Sequence, residues 1–134
     1  MNDVLLDDSL NPRFVHYSLV RSDELDPFDR LSKPSLTRHI DAAISAWQGL
    51  TDGTVTDVSI EYLEPVIGAQ TLRIDLWVEY LDGSSCVYGF YVSSEDGNIA
   101  FARGERTIVR IHAPWSDSFR VRLATLLKNL PAYA

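Results

Sequence analysis

Cysteine is nearly missing from this 134-residue chain, which has a single one, Cys86. One thiol excludes an intrachain disulfide and a cysteine-built metal cluster, and it suits a reducing cytoplasm. Its apolar, alternating surroundings read as those of a small buried hydrophobe, with a reactive thiol as the other reading. Basic runs are missing too. The formal net charge is −7, and an acidic chain does not offer the positive face that a nucleic-acid backbone demands. No apolar run reaches the roughly 18–20 residues of a membrane span. The acidic start, MNDVLLDDSL, has no basic stretch leading into an apolar one, so neither a secretory leader nor a transit peptide is expected. The three histidines, His16, His39 and His112, share no metal-ligand spacing. Ser84 and Ser85 lie in a turn, not in a Gly-x-Ser-x-Gly elbow. There is no glycine-rich phosphate loop, no internal repeat and no Gly/Ser linker. A metal centre, a serine triad and a nucleotide cradle are therefore not expected.

What remains is one domain's worth of chain with an ordinary 46% hydrophobic content. Residues 1–12 show no clean period and read as a loosely packed arm. Phe14–Arg21 is rich in aromatic and β-branched residues and reads as a strand. A polar loop follows, and Pro34 opens a helix whose Leu36, Ile40, Ala43, Ile44 and Trp47 share one face. Gly49 and the TDG at 51–53 end it. Four strands are then expected, over Val55–Leu63, Thr71–Leu81, Ser85–Ser93 and Ile99–His112. Their joints are turn-like: EPVIG at 64–68, DG at 82–83 and EDGN at 95–98. Ser116 is a plausible cap for a short C-terminal helix. The order strand, helix, four strands, helix implies an α+β fold, a curved antiparallel sheet burying one long helix.

Residues Arg21-Ser-Asp-Glu24-Leu-Asp26-Pro-Phe-Asp29-Arg30-Leu31-Ser32-Lys33 carry a resemblance. Without a gap they fit the Arg-x-x-Asp-x-Asp-x-x-Gly-His-Val-Asn-Asn stretch of the hot-dog thioesterases related to 4-hydroxybenzoyl-CoA thioesterase. Arg38 and Asp41–Ala43 continue the pattern. Tyr62-Leu-Glu-Pro65 with Gly68, and then IAFARGERTIVRI, resemble the family's second half, so the likeness spans roughly residues 14–130. The Asp-Pro-Phe-x-Arg-Leu loop is also similar to the acyl-carrier-protein thioesterases. In this chain Glu24 replaces the first Asp, Asp29-Arg30 the Gly-His, and Ser32-Lys33 the Asn-Asn.

The resemblance implies a hot-dog fold over a single domain, residues 1–134, and a cytoplasmic thioester hydrolase. Its substrate would be an acyl-CoA or an acyl-carrier protein, so that coenzyme A or phosphopantetheine enters as part of the substrate and no separate cofactor is needed. Such relatives work as dimers or tetramers, and Val55–Leu63 is the candidate edge for pairing between subunits. Asp26 stands at the catalytic Asp, as base or nucleophile; its other reading is the organiser of an Asp-Pro turn. The backbone N–H of Lys33, with Ser35 beside it, is the candidate oxyanion donor, unless Ser32 caps the helix and takes the first-turn donors. Asp29 reads as a second carboxylate or as a partner of Arg30 or Arg38. Asp41 is a further carboxylate candidate, on the helix. Arg30, Arg103, Arg106 and Arg110 could meet substrate phosphates; the three on the last strand could equally balance Glu105 on a solvated face. Tyr88, Phe90, Tyr91 and Phe101 suit the core or the wall of an acyl pocket. The replaced Gly-His-Val-Asn-Asn stretch keeps open a non-catalytic acyl-thioester binder. A hot-dog dehydratase ranks below both, since the loop has no histidine.

Overall fold

The computed structural model describes residues 12–49, 54–110 and 114–127. The arm expected over residues 1–12, apart from Pro12, and the turn at 51–53 lie outside the described residues.

Alternation of side chains builds five strands: β1 (Phe14–Val20), β2 (Thr54–Tyr62), β3 (Gln70–Leu81), β4 (Ser85–Ser94) and β5 (Ala100–Val109). The long helix α1 spans Lys33–Gln48, and a short helix α2 spans Asp117–Ala124. All five strands pair antiparallel in one sheet of order β1-β3-β4-β5-β2. This is the α+β, hot-dog arrangement, a curved sheet around one central helix. β1 and β2 are its two edges. The expected bounds hold to within a residue or two, except that β5 ends at Val109; Ile111 and His112, into which it was expected to run, lie outside the described residues.

Period two sorts the strands into faces. Leu72, Ile74, Leu76 and Val78 on β3 join Cys86, Tyr88, Phe90 and Val92 on β4 in the buried face. Helical spacing does the same for α1, which buries Leu36, His39, Ile40, Ala43, Ile44 and Trp47 against that face. Each fully buried Leu, Ile or Phe contributes about 1.5–3 kcal/mol relative to exposure. Gly49 ends α1 at φ 73° and ψ −159°, a positive-φ conformation that glycine adopts without a Cβ clash. Ser116 caps α2, accepting from the Phe119 N–H at 3.3 Å. α2 then closes the C-terminal end of α1, with Arg122 lying over the Trp47 ring and donating to the Trp47 carbonyl. Asp82 shapes the β3–β4 turn by accepting from the Ser84 and Ser85 N–H groups.

The aromatic residues divide between these layers. Tyr88, Phe90 and Phe101 are core residues. Tyr91 pairs with Asp75 and Arg103 on the opposite, outer face.

Candidate active site

Between β1 and α1 the chain makes a 3-10 turn, Ser22–Glu24, and then a tight loop. Leu25 bridges Leu31, and the Asp26 N–H donates to the Arg30 carbonyl at 2.9 Å. Asp26 Oδ1 accepts from the N–H groups of Phe28 (2.8 Å) and Arg30 (3.0 Å). An Asp side chain that binds backbone N–H groups further along holds a turn closed. Asp26 therefore does organise its turn, and it does so with one oxygen only. Oδ2 has no hydrogen-bond partner among the described residues. The second half of the loop is sewn to the 64–68 turn: Leu31 N–H donates to the Val66 carbonyl (3.0 Å) and Gly68 N–H to the Asp29 carbonyl (2.8 Å).

Asp29 is the one non-glycine described with positive φ, at 61°. It occupies the glycine position of the family stretch, and the backbone keeps the left-handed shape that position calls for. Aspartate is among the few L-residues that visit this region routinely. Its carboxylate pairs with neither Arg30 nor Arg38 among the described residues, which corrects that structural reading. Arg30 is exposed and uses its backbone, not its guanidinium, to hold the loop.

The start of α1 can be audited donor by donor. Ser32 is the N-cap and its Oγ accepts from the Ser35 N–H at 3.2 Å, a cap worth about 1 kcal/mol. Leu36 N–H donates to the Ser32 carbonyl. Pro34 has no N–H. Among the described residues one first-turn donor is left over, the backbone N–H of Lys33. Ser32 thus takes the Ser35 donor and leaves the Lys33 donor. Ser35 itself is buried, and its Oγ receives Ser32 Oγ (3.0 Å) and the Arg38 guanidinium (2.6 Å), so it faces its neighbours and not an incoming ligand. Lys33 also lines a cavity of about 250 Å³ between Leu31 and Leu36 on one side and the stretch from Tyr62 to Val66, which includes Glu64, on the other. Its ammonium sits 4.7 Å from the centre of the Tyr62 ring.

The other expected charges do not converge on this place. Asp41 is held by Arg106 through two parallel 2.9 Å hydrogen bonds, which occupy both of its oxygens. Arg103 lies on the outer face, paired with Glu61 at 2.9 Å and not with Glu105. Arg110 lies over Trp115, near the foot of α2. Arg103 and Arg106 of β5 and Arg110 just beyond it are thus dispersed over two faces and one end and do not form a phosphate cluster. Cys86 is buried, and burial pushes its thiol up to about 12, which fits a structural cysteine. Among the described residues no group of three or more His, Cys, Asp or Glu is placed to hold a metal. No helix there is long and apolar enough to cross a membrane.

Two elements of polar chemistry escape the sequence reading. Asp75 is buried on the outer face between the guanidinium groups of Arg13 and Arg73. His39 is buried on α1 and joins Ser18 of β1 to Glu24 of the 3-10 turn. The signal for the second was available: His39 stands three residues after Leu36 and four before Ala43, on the apolar stripe itself.

The thioesterase superfamily matches residues 37–101 of the chain. No curated protein matches it in sequence. Among solved structures, a 1,4-dihydroxy-2-naphthoyl-CoA thioesterase from Synechocystis superposes with a TM-score of 0.75 at 14% identity, over 84% of this chain and 96% of that one. A protein from Pseudomonas aeruginosa superposes with a TM-score of 0.79 at 21% identity, over 90% of this chain and 100% of that one. At such identities the superpositions speak for the fold.

Proposed function

We propose that this hot-dog chain, which carries the thioesterase-superfamily match over residues 37–101, hydrolyses an acyl-CoA or acyl-carrier thioester in the loop between β1 and α1. The observation that carries the reading is the Lys33 N–H, left without a partner among the described residues, on a residue that itself lines a mainly apolar cavity. A helix N-terminus carries partial positive charge, and an orphan N–H there suits a developing oxyanion. Asp26, with Oδ2 uncommitted, is the carboxylate. It adds to the thioester carbon, or takes a proton from a water that does so. The carbonyl oxygen gathers charge at the Lys33 N–H and the C–S bond breaks; the thiolate takes its proton from Asp26 on the water route or from solvent on the nucleophile route, where water then cleaves the acyl–Asp26 anhydride and frees the carboxylate. The acyl group would lie against Leu31, Leu36, Tyr62 and Val66. Arg30 is exposed beside the loop and suits the carrier's phosphates.

The unpaired side of β2 is the edge through which two copies would join, with the site at the junction. The reading places the protein in the cytoplasm, as its acidic, nearly cysteine-free composition suggested.

The test is thiol release from acyl-CoAs, aromatic and C2 to C16, by wild type and Asp26→Asn. Asparagine can still accept the Phe28 and Arg30 N–H groups, so the turn survives and only the chemistry changes. A collapse by about a hundredfold or more supports the assignment. Equal rates in the two would remove Asp26 from the chemistry. A second reading, a non-catalytic acyl-thioester binder, draws on Asp29 standing where the family has glycine. It predicts no turnover from wild type, with acyl-CoA still raising the melting temperature.

A further inference from the structure

The Ser18–His39–Glu24 chain is not used by the chemistry above, and its geometry is specific. Ser18 lies on β1 opposite Leu72, so its side chain faces the helix layer. Its Oγ is 2.5 Å from His39 Nδ1. On the far side of the ring, Nε2 is 2.7 Å from Glu24 Oε1. The second Glu24 oxygen accepts from the Arg21 N–H at 2.8 Å, and the Glu24 N–H donates back to the Arg21 carbonyl at 3.0 Å. An ionised carboxylate can only accept, so Nε2 carries a hydrogen and donates it to Glu24. Nδ1 then shares a hydrogen bond with the Ser18 hydroxyl. One buried ring thus ties together an edge strand, the 3-10 turn and the central helix.

The consequence lies in the loop that follows. Asp26 is two residues beyond Glu24. The second half of the loop is fastened to the 64–68 turn by the Leu31 and Gly68 bonds. Its first half reaches α1 through Glu24 and His39. A catalytic carboxylate needs placement to a fraction of an ångström, and residues around it supply that placement.

We propose that His39 is a positioning residue, holding Ser18 and Glu24 to α1 so that the Asp26 carboxylate keeps its place relative to the Lys33 N–H. The role in turnover rests on the thioesterase reading; the clamp itself does not.

The experiment measures two things on the full chain: amide hydrogen exchange over residues 22–31, and kcat and KM on the acyl-CoA that wild type turns over best. His39→Phe keeps an aromatic volume but makes neither hydrogen bond. It should speed exchange at 22–31 by about tenfold or more and leave β3 and β4 as in wild type. Its kcat should fall about a hundredfold with KM within about threefold. In Glu24→Gln the amide oxygen still accepts from the Arg21 N–H, and the amide NH2 can donate to His39 Nε2 once the ring takes its other tautomer, so both contacts survive and exchange and kcat should stay near wild type. Where His39→Phe does not fold, His39→Gln, which reaches one partner only, is read in the same way. Unchanged exchange at 22–31 in the histidine variant overturns the clamp. Faster exchange with unchanged kcat overturns the positioning role. A wild type that turns over no thioester overturns the thioesterase reading instead, and the exchange comparison alone then decides the clamp.

Discussion

Breaking the Asp41–Arg106 pair should cost more than a surface ion pair and less than a fully buried one. Arg106 rises from the helix-facing side of β5 and meets Asp41 on α1 through two 2.9 Å bonds. The Arg side chain is 13% exposed and the Asp side chain 38%. Exposed pairs contribute about 0.2–1 kcal/mol, whereas truncating one member of a buried pair costs about 3–5 kcal/mol. Asp41→Ala strands a largely enclosed guanidinium, so about 2 kcal/mol is expected. Arg106→Leu strands a carboxylate that is more than a third exposed and can turn to water, so about 1 kcal/mol is expected. The double variant should cost less than the sum, with a coupling of about 1 kcal/mol. In a domain of this size Asp41→Ala should lower Tm by about 5–8 °C. Urea denaturation followed by tryptophan fluorescence measures all four corners of the cycle, at low salt and again at about 1 M salt, where screening reaches the exposed carboxylate first. A coupling below about 0.3 kcal/mol at low salt would refute the claim that this pair fastens the helix to the sheet.

Three further outcomes are expected. A Cβ on Gly104 would collide with the Ser59 carbonyl oxygen, a backbone atom that cannot swing aside. Gly104→Ala should therefore pry β2 from β5, lower stability by about 1–3 kcal/mol or more and weaken any dimer built on β2; a wild-type urea midpoint would contradict this. Cys86, with its thiol pushed up to about 12 by burial, should resist a maleimide in buffer and react fully in urea; rapid stoichiometric labelling of the native protein would be the contrary result. Glu24 is held below its ordinary value chiefly by the Arg21 N–H and, against the opposing effect of burial, by His39. A lowered folded-state value stabilises above the ordinary one, and that contribution is lost as pH falls through the lowered one. The urea-midpoint gap between wild type and Glu24→Gln should accordingly shrink from pH 7 to pH 3, and a gap that stayed constant would count against it.

Local chemistry determined much of this protein without help from the rest of the chain. The stripe from Leu36 to Trp47, the two-residue alternation of β3 and β4, the Gly49 stop and the Ser116 cap are short-range facts, and each element formed within a residue or two of where its own residues placed it. The Lys33 N–H was only half legible: the missing Pro34 donor pointed to it, but whether a Ser32 cap would take the first-turn donors depended on geometry, and the cap takes Ser35. Parity already set Arg103 and Arg106 on opposite faces, since period two separates an odd from an even position; treating the β5 arginines as one cluster overlooked that. What tertiary structure alone decided is which distant residues meet. The order β1-β3-β4-β5-β2 is a property of sheet closure, and no local period encodes it. It sets β1 beside β3, brings Ser18 within reach of His39, and turns Arg106 toward Asp41. A histidine looks solitary in sequence because its hydrogen-bond partners lie 15 and 21 residues away, on elements that only packing brings together.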